Sequence, residues 1–326
     1  MVGVSVDWIS VSEVPGVPLP RLSERFSLDA STGELLPRGV EPLQVAGDRG
    51  SSVRLWSDGS RYLFDGNPSK GDRLEAVFGL SAVDAVATVQ RIVVSQGFPA
   101  FSDDAVVTRL DLNRNFCYGA QGAEALRALS TGRYGSLRRS TEVNSVTWGA
   151  DSRYRELCVY GKATELRRHV SKHRGSDALY LRSLCDWLEP LGVLRFELRL
   201  KRSLVDFGLR RLGALNDERC SSVFDEEVLP MTELERISLS ELDGVPMRLV
   251  GALSAFFLGF DLRTMMSRTQ FWRVRKELLA LGYDVSVPVT KRFVPKAVYM
   301  QAVELERDGA PVYVPPGKAD RHLKVV

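Results

Sequence analysis

Four side chains that could act together on a phosphodiester lie on predicted strands in the middle of the chain. Asp111, Tyr160 and Glu197 fall on the polar side of alternating strand patterns, and Lys162 ends the same strand as Tyr160. Two adjacent carboxylates are costly unless a cation lies between them, and hard oxygen ligands suit Mg²⁺ or Mn²⁺. A nearby metal ion and Lys162 would favour the phenolate form of Tyr160, whose attack on a phosphate gives a phosphotyrosine. These residues predict a metal-dependent phosphoryl-transfer site.

Each of these residues also has an ordinary structural interpretation. Tyrosine is enriched in strands for packing alone, and the Arg/Glu alternation around Glu197 is typical of cross-strand ion pairs. We favour a functional site because the ionisable groups are predicted to cluster on one face. His169 and His173, four residues apart, could both be metal ligands. However, HVSKH lacks the Glu of the zinc-protease motif, which favours a basic helix that contacts phosphate.

A β-α-β-β-α-β pattern spans the region that must position these residues. The predicted strands are 106–116, 143–149, 155–162 and 193–201, and the predicted helices are 123–130 and 178–192. This order is typical of a ferredoxin-like fold, with an antiparallel sheet in strand order 4-1-3-2 and both helices on one face. The other face is then bare and polar. Asp111 on the central first strand would lie between Glu197 and Tyr160, at about 5 Å per strand.

The composition indicates a globular protein, and the order of the predicted strands and helices indicates the α+β class. The chain has 326 residues, 44% of them apolar and 26% charged, which excludes the disordered and fibrous classes. The four cysteines form no CxxC pair, which argues against a zinc ribbon or disulfide scaffold and favours a reducing compartment. The most apolar stretch, 249–260, is shorter than the about 20 residues that a membrane-spanning helix needs. We therefore expect no membrane partner.

Length and pattern predict three regions. Residues 1–104 form a strand-rich N-terminal domain, with a hairpin turn at Asp58-Gly59 and one helix capped by Ser81. Residues 105–211 form the ferredoxin-like catalytic domain. Residues 212–326 form a mainly helical C-terminal region. Its basic amphipathic segment 263–284 is expected to pack rather than to contact DNA, with these side chains buried: Phe271, Val274, Leu278 and Leu281.

Charge is distributed unevenly along the chain. Residues 133–211 contain 17 basic and 9 acidic side chains, whereas residues 212–261 contain 3 basic and 10 acidic ones. This difference indicates that the middle region faces a polyanion. In nucleic-acid complexes the backbone phosphates supply most of the affinity. The arginines predicted to contact DNA are Arg109, Arg138, Arg139, Arg153, Arg155, Arg167, Arg168 and Arg195.

Three segments of this middle region are distinctive: TRLDLNRNF, STEVNSVTWGADSRYRELCVYGKATEL and GVLRFELRLKRSLVDFGL. With SSVRLWSDGSRYLFDGNPSK upstream and SRTQFWRVRKELLALGYD downstream, they resemble the replication initiators of filamentous phages, the gene II type rolling-circle endonucleases. The similarity spans roughly Ser51 to Asp284. It implies an enzyme that nicks one strand of the double-stranded replicative form at the origin and stays attached to the 5′ end through tyrosine. Such an enzyme leaves a 3′-hydroxyl primer and rejoins the displaced strand.

The resemblance implies a role for each candidate residue. Tyr160 matches the nucleophile and Lys162 its basic partner, while Asp111 and Glu197 match recurring acidic positions. From the expected geometry we infer that these two acids hold Mg²⁺ or Mn²⁺. Glu165, one helical turn beyond Tyr160, is a weaker third ligand. The broader HUH endonuclease class holds its metal with a His-hydrophobic-His pair, which this sequence lacks. Either carboxylates replace that pair or the metal site lies elsewhere.

Two further tyrosines could serve as a second nucleophile. Tyr154 falls in a predicted turn and Tyr180 on a predicted helix, which favours a single active tyrosine. The resemblance implies origin DNA, double-stranded and single-stranded, as the partner, with host helicase and polymerase as further candidates. It also implies the bacterial cytoplasm as the location.

Two other functions stay open. A non-catalytic nucleic-acid module of the RRM type would need exposed aromatic side chains on its central strands. A metal-dependent nuclease that activates water would not need Tyr160 and would form no covalent adduct.

Overall fold

A computed structural model describes residues 3–22, 24–46, 52–70, 73–130, 133–238, 242, 244–286 and 296–313. Two units divide the chain: the first is Met1–Leu234 together with Met300–Val326, and the second is Glu235–Tyr299. The second unit is therefore an insertion into the first. The predicted α+β class is confirmed, since a large antiparallel sheet and several helices make up the described residues.

Strands and helices follow one another along the whole described chain. The elements of its first half are β1 (Ser5–Glu13), β2 (Glu24–Leu28), β3 (Leu35–Val40), β4 (Leu43–Ala46), β5 (Ser52–Ser57), β6 (Tyr62–Gly66), α1 (Ala82–Ser95), β7 (Val106–Cys117), α2 (Gly122–Leu129), β8 (Arg139–Glu142), β9 (Ser145–Trp148) and β10 (Arg155–Gly161). The elements of its second half are α3 (Lys162–Val170), α4 (Gly175–Leu188), β11 (Val193–Leu200), α5 (Asp217–Val228), β12 (Leu234–Ser238), α6 (Met247–Phe257), α7 (Leu262–Met265), α8 (Arg268–Ala280), β13 (Lys296–Met300) and β14 (Val303–Glu304).

The main sheet of the first unit has the strand order β4-β5-β6-β1-β7-β11-β10-β9-β8, and β14 pairs with the end of β7. The four strands of the predicted ferredoxin-like region are β7, β9, β10 and β11, so their order is 1-4-3-2 and the predicted order 4-1-3-2 is not found. The reason is that β1 pairs along β7 and occupies one of its two edges. Consequently β11 lies between β7 and β10, and the regions predicted as 1–104 and 105–211 share one sheet.

One face of this sheet is apolar and carries the main core. Leu112 of β7, Leu198 of β11 and Leu157 of β10 are paired across the strands and fully buried there. Because alternate residues of a strand point to opposite faces, the intervening residues form a polar face. Helices α1, α2 and α5 cover the apolar face with side chains that include Val89, Leu129 and Phe224.

Helices α3 and α4 form a second core cluster at one end of the polar face. Leu166 of α3 and Leu184 of α4 cluster with Val193 of β11. Val193 pairs with Cys117 and shares its side of the strand with Glu197. The predicted placement of both crossover helices on one face is therefore wrong, since α2 packs on the apolar face. The physical reason is that Val193 and Cys117 give the polar face an apolar end, against which helices can pack.

The second unit has its own core within helices α6, α7 and α8, and β12 pairs with β13. In α8, Phe271, Val274 and Leu278 are buried as predicted, but Leu281, just beyond the helix, is 43% exposed. Among the described residues, no helix combines the length and the apolar character that crossing a membrane requires.

Candidate active site

The polar face of the sheet brings Tyr160 and Glu197 together. Cys158 pairs with Glu197 and Tyr160 pairs with Arg195, so β10 and β11 present these side chains on the same side. The Tyr160 hydroxyl donates a hydrogen bond to Glu197 Oε2 at 3.3 Å. Asp111 lies one strand farther away on β7, where it pairs with Arg199. The strand order thus places Glu197, and not Asp111, at the centre of the predicted group.

Tyr160 precedes Gly161, the last residue of β10, and its ring remains partly exposed. Burial raises the pKa of the Tyr160 phenol well above its usual value, an effect that the charge of Arg195 opposes and that of Glu197 reinforces. The phenol is therefore protonated at neutral pH and needs a base in order to act as a nucleophile. Glu197, the acceptor of its hydrogen bond, is in position to be that base.

Lys162, the first residue of α3, is buried beside this tyrosine. Its Nζ lies 5.7 Å from the centre of the Tyr160 ring and donates a hydrogen bond to Glu165 Oε2 at 2.8 Å. Burial and the nearby charge of Arg195 lower the pKa of Lys162. Glu165 Oε1 also lies 3.0 Å from His169 Nε2. The predicted third carboxylate ligand is thus the ion-pair partner of the predicted basic residue.

Arg195, predicted to contact DNA, lies inside the protein. It is fully buried, its Nη2 is 3.1 Å from Asp7 Oδ2, and its Nη1 donates to the carbonyl oxygen of Ala76. The segment around Ala76 covers this end of the polar face, where Asn115 Nδ2 also donates to the Val77 carbonyl oxygen at 2.7 Å. Arg195 therefore influences the site through its buried charge, which acts to lower the pKa values of Tyr160 and Lys162.

The acidic side chains of the site lie beneath two arginines. Asp111 is 2% exposed and accepts two hydrogen bonds from Arg109, at 2.9 and 2.6 Å. Arg199 donates to Glu197 at 2.8 Å and to Glu156 at 2.7 Å, and its Nε lies 3.7 Å from Asp111. Glu197 is itself only 6% exposed. Beside the phenol, the partly exposed groups on this part of the face are therefore two guanidinium groups, whereas the carboxylates of Asp111 and Glu197 are buried.

The predicted Mg²⁺ or Mn²⁺ ligands Asp111, Glu197 and Glu165 do not form one donor set. Arg109 and Arg199 already neutralise the first two acids, and Lys162 neutralises the third. In the described part of the chain, no group of three or more His, Cys, Asp or Glu side chains is placed to hold a metal ion. A divalent cation at Asp111 and Glu197 would have to displace guanidinium groups, so the residues as arranged do not fit the predicted metal.

The other arginines predicted to contact DNA differ in their surroundings. Arg138, Arg139, Arg153 and Arg168 are exposed. Arg155 is ion-paired with Glu227, and Arg167 is ion-paired with Glu189. Of the two alternative tyrosines, Tyr154 donates a hydrogen bond to Asp206, and Tyr180 packs edge-on against Tyr313 at 5.2 Å. Neither of these contacts involves the acids around Tyr160.

Two acidic contributors to the site were missed from sequence. Asp7 belongs to β1, more than 180 residues from its partner Arg195, and no local pattern marks that pairing. Glu156 was missed for a different reason: its position in β10 fits the ordinary alternation of a strand. In the structure it pairs directly with Arg199 of β11. A search for charged residues that face each other in the antiparallel pair β10–β11 could have found Glu156.

Asp111 should make the stability of the protein depend on pH. Burial raises the pKa of Asp111 to about 6, although its bonds to Arg109 oppose this, whereas an unfolded aspartate titrates near pKa 3.9. The folded protein binds the extra proton between about pH 4 and 6, so the free energy of unfolding falls as pH rises through this window. Two pKa units correspond to about 3 kcal/mol.

We expect Asp111→Asn to remove this pH-dependent contribution to the free energy of unfolding. Urea denaturation at pH 4, 5, 6 and 7 should show a decline in the unfolding free energy of the wild type that the variant lacks. An equal decline in both proteins would contradict the raised pKa of Asp111.

Comparison with known proteins connects these residues to one family. Residues 60–217 match the model of the N-terminal part of the phage replication-associated protein, the gene II protein. Over 311 residues the chain is 23% identical to the replication-associated protein of Enterobacteria phage I2-2, and the match covers 88% of this chain and 89% of that relative. The matched family segment begins in the hairpin turn before β6 and ends at the start of α5, so it contains every candidate residue on β7, β10, α3 and β11.

Proposed function

We propose that the protein nicks and rejoins DNA through Tyr160, on the premise that residues 60–217 match the model of the phage replication-associated gene II protein family. This similarity supports the assignment of the chain as a phage replication initiator. The observation that supports the tyrosine chemistry is the hydrogen bond from the Tyr160 hydroxyl to Glu197, on the polar face of the sheet. We propose that the substrate is the phage's double-stranded replicative form at its origin.

The proposed reaction begins with proton transfer from Tyr160. As Tyr160 Oη attacks phosphorus, its proton passes to Glu197 Oε2, the atom that already accepts its hydrogen bond. A bond forms between Oη and phosphorus, and the bond between phosphorus and the 3′ oxygen breaks. The 5′ end of the strand is then held as a phosphotyrosine. The departing 3′ oxygen takes up a proton, for which Lys162 is the candidate donor because its lowered pKa makes it a stronger acid.

Fixed positive charges favour this step. Arg199 is partly exposed on the face that carries Tyr160, so its guanidinium can contact the phosphate oxygens as negative charge develops there. The buried charge of Arg195 favours the ionised form of the Tyr160 phenol. These groups are held by Glu156, Glu197 and Asp7 and need little reorganisation during the reaction.

Rejoining is the same reaction in reverse. A phosphotyrosine diester preserves the energy of the broken bond, so a free 3′-hydroxyl can displace Tyr160 without ATP. The proton of that hydroxyl returns to Lys162, and Glu197 returns its own proton to the phenol oxygen. The reaction consumes no co-substrate and yields a closed circle of the displaced strand.

The test uses the full chain with supercoiled replicative-form DNA of the phage that carries this gene. We expect conversion to an open circle with one nick, whose 5′ end carries the protein after denaturation and resists a 5′ exonuclease until proteinase is added. Mass spectrometry of the DNA-linked peptide should identify Tyr160. A nick with a free 5′ phosphate would contradict the proposal and support a nuclease that activates water, and binding without a nick would support a non-catalytic module.

The requirement for Mg²⁺ or Mn²⁺ stays a prediction. The same assay with EDTA, and with each ion restored, tests it without reference to any particular ligand set. We also propose that the protein acts in the cytoplasm of the bacterial host, with host helicase and polymerase as partners. A nick that leaves a 3′-hydroxyl supplies the primer that a polymerase needs, and the displaced strand supplies a track for a helicase.

A further inference from the structure

A basic depression lies on the first unit, away from Tyr160. It encloses about 560 Å³ and is lined by the turn around Arg153, by the chain after β11 and by Arg210. Its cationic side chains are those of Arg153, Lys201, Arg202 and Arg210, and the acidic side chain that lines it is that of Asp151. Of these cations, only Arg153 was predicted from sequence to contact DNA. The charge of this surface suits a polyanion.

The backbone that carries these cations is fixed by hydrogen bonds between segments. The Lys201 and Arg202 amides donate to the carbonyl oxygens of Tyr154 and Arg153, at 3.1 and 3.3 Å. The carbonyl oxygen of Arg210 accepts from the Val107 amide of β7 at 2.9 Å. The three elements that line the depression are therefore held in fixed positions, and the depression is preformed.

Three of these four cations form no ion pair with the described residues. Arg153, Arg202 and Arg210 are exposed, and among the described residues none of their guanidinium groups has an ion-pair partner. Lys201 differs, since its Nζ donates to the Ser152 carbonyl oxygen at 2.8 Å and approaches Glu156 at 3.4 Å. Three guanidinium groups thus remain available for an anion outside the protein.

The depression is connected to the candidate active site by a row of charged side chains. Glu156 contacts Lys201 on one side and Arg199 on the other, and Arg199 contacts Glu197, which accepts the bond from Tyr160. Tyr160 pairs with Arg195, six residues before Lys201, which corresponds to about 20 Å along β11. A strand bound at Tyr160 can therefore reach the depression after a few nucleotides.

We propose that this depression binds the backbone phosphates of the single DNA strand that continues past Tyr160. The inference rests on the proposed function for its ligand, single-stranded DNA, and adds a second point of attachment. Phosphates held there fix the register of the strand and bring one particular phosphodiester to the nucleophile.

The test compares two doubly substituted full-length proteins that lose the same charge. Arg202→Ser with Arg210→Ser removes two guanidinium groups from the depression, and Arg91→Ser with Arg182→Ser removes two exposed ones from helices α1 and α4. The probe is a fluorescein-labelled single-stranded oligonucleotide of about 30 nucleotides, longer than the roughly 4 to 16 nucleotides that single-strand sites occupy, with a hairpin duplex as second probe. Anisotropy titrations from about 50 to 300 mM salt give the affinity and its salt dependence, and thermal unfolding confirms that each variant is folded.

We expect the depression variant to bind the single strand about 10- to 25-fold more weakly at about 0.1 M salt, with a salt slope smaller by about 1.4, as the loss of two phosphate contacts predicts. The control variant should match the wild type. Equal behaviour of the two variants, or a loss confined to the duplex, would overturn the proposal. Should the wild type bind in this way yet never form an adduct, the nicking function fails and the binding site stands.

Discussion

Tyr160→Phe is expected to lower strand cleavage by roughly 10⁴-fold or more, in line with the loss that follows removal of an enzyme's nucleophile. The substitution removes only the hydroxyl that donates to Glu197 and leaves the ring beside Lys162. Binding of single-stranded DNA should stay within a few-fold of the wild type, because the arginines around the site are unchanged. Open-circle formation and the protein–DNA adduct measure the effect on the same samples.

The chain offers two matched controls for this substitution. Tyr154→Phe removes a hydroxyl that donates a hydrogen bond to Asp206. Tyr180→Phe removes the hydroxyl of a ring that packs on Tyr313. Both variants should cleave nearly as fast as the wild type. If Tyr160→Phe still formed the adduct, or if either control abolished it, the nucleophile would have to be assigned elsewhere.

Arg195→Met should destabilise the folded protein by about 3 kcal/mol, the lower end of the range for breaking a buried ion pair. Asp7, one of its partners, would lose the guanidinium that faces it. The loss is not larger because Arg195 also lies close enough to Lys162 to lower the pKa of that ammonium, and this repulsion disappears with it. Urea denaturation at pH 7 measures the change.

A double-mutant cycle measures the interaction energy between Asp7 and Arg195 separately from their other contacts. Asp7→Asn alone should also destabilise the protein, and the combination with Arg195→Met should cost less than the two single effects added together. Strict additivity would show that Asp7 and Arg195 are not coupled. The cycle also tests β1 as part of the site, since Asp7 is the residue through which that strand reaches Arg195.

Local patterns predicted most strands of the site correctly. The alternation in β7, β10 and β11 identified which residues share the polar face, because the period of a strand needs no knowledge of its neighbours. Asp58 and Gly59 form the turn between β5 and β6, with Gly59 at φ 92°, and Ser81 caps α1 by accepting from the Asp84 amide. Each of these features depends on residues only a few positions apart.

The order of the strands could not be predicted in the same way. It depends on β1, about 100 residues before β7, whose pairing excludes β10 from that edge. The sequence therefore indicated that Tyr160, Glu197 and Asp111 share a face, but it misplaced Asp111 at the centre. The pairing of the acids with Arg109 and Arg199 follows from the observed register, and it places the predicted ligands Asp111 and Glu197 in a network of ion pairs.

The insertion of residues 235–299 into the first unit has a consequence for how such a chain can be rearranged. The first unit resumes at Met300, and β14 pairs with β7 next to the strands that carry the site. Strands β12 and β13, which lie at the two ends of the inserted stretch, are hydrogen-bonded neighbours. A short turn that joins β12 to β13 is therefore expected to replace the intervening stretch and to leave both parts of the first unit on a single polypeptide.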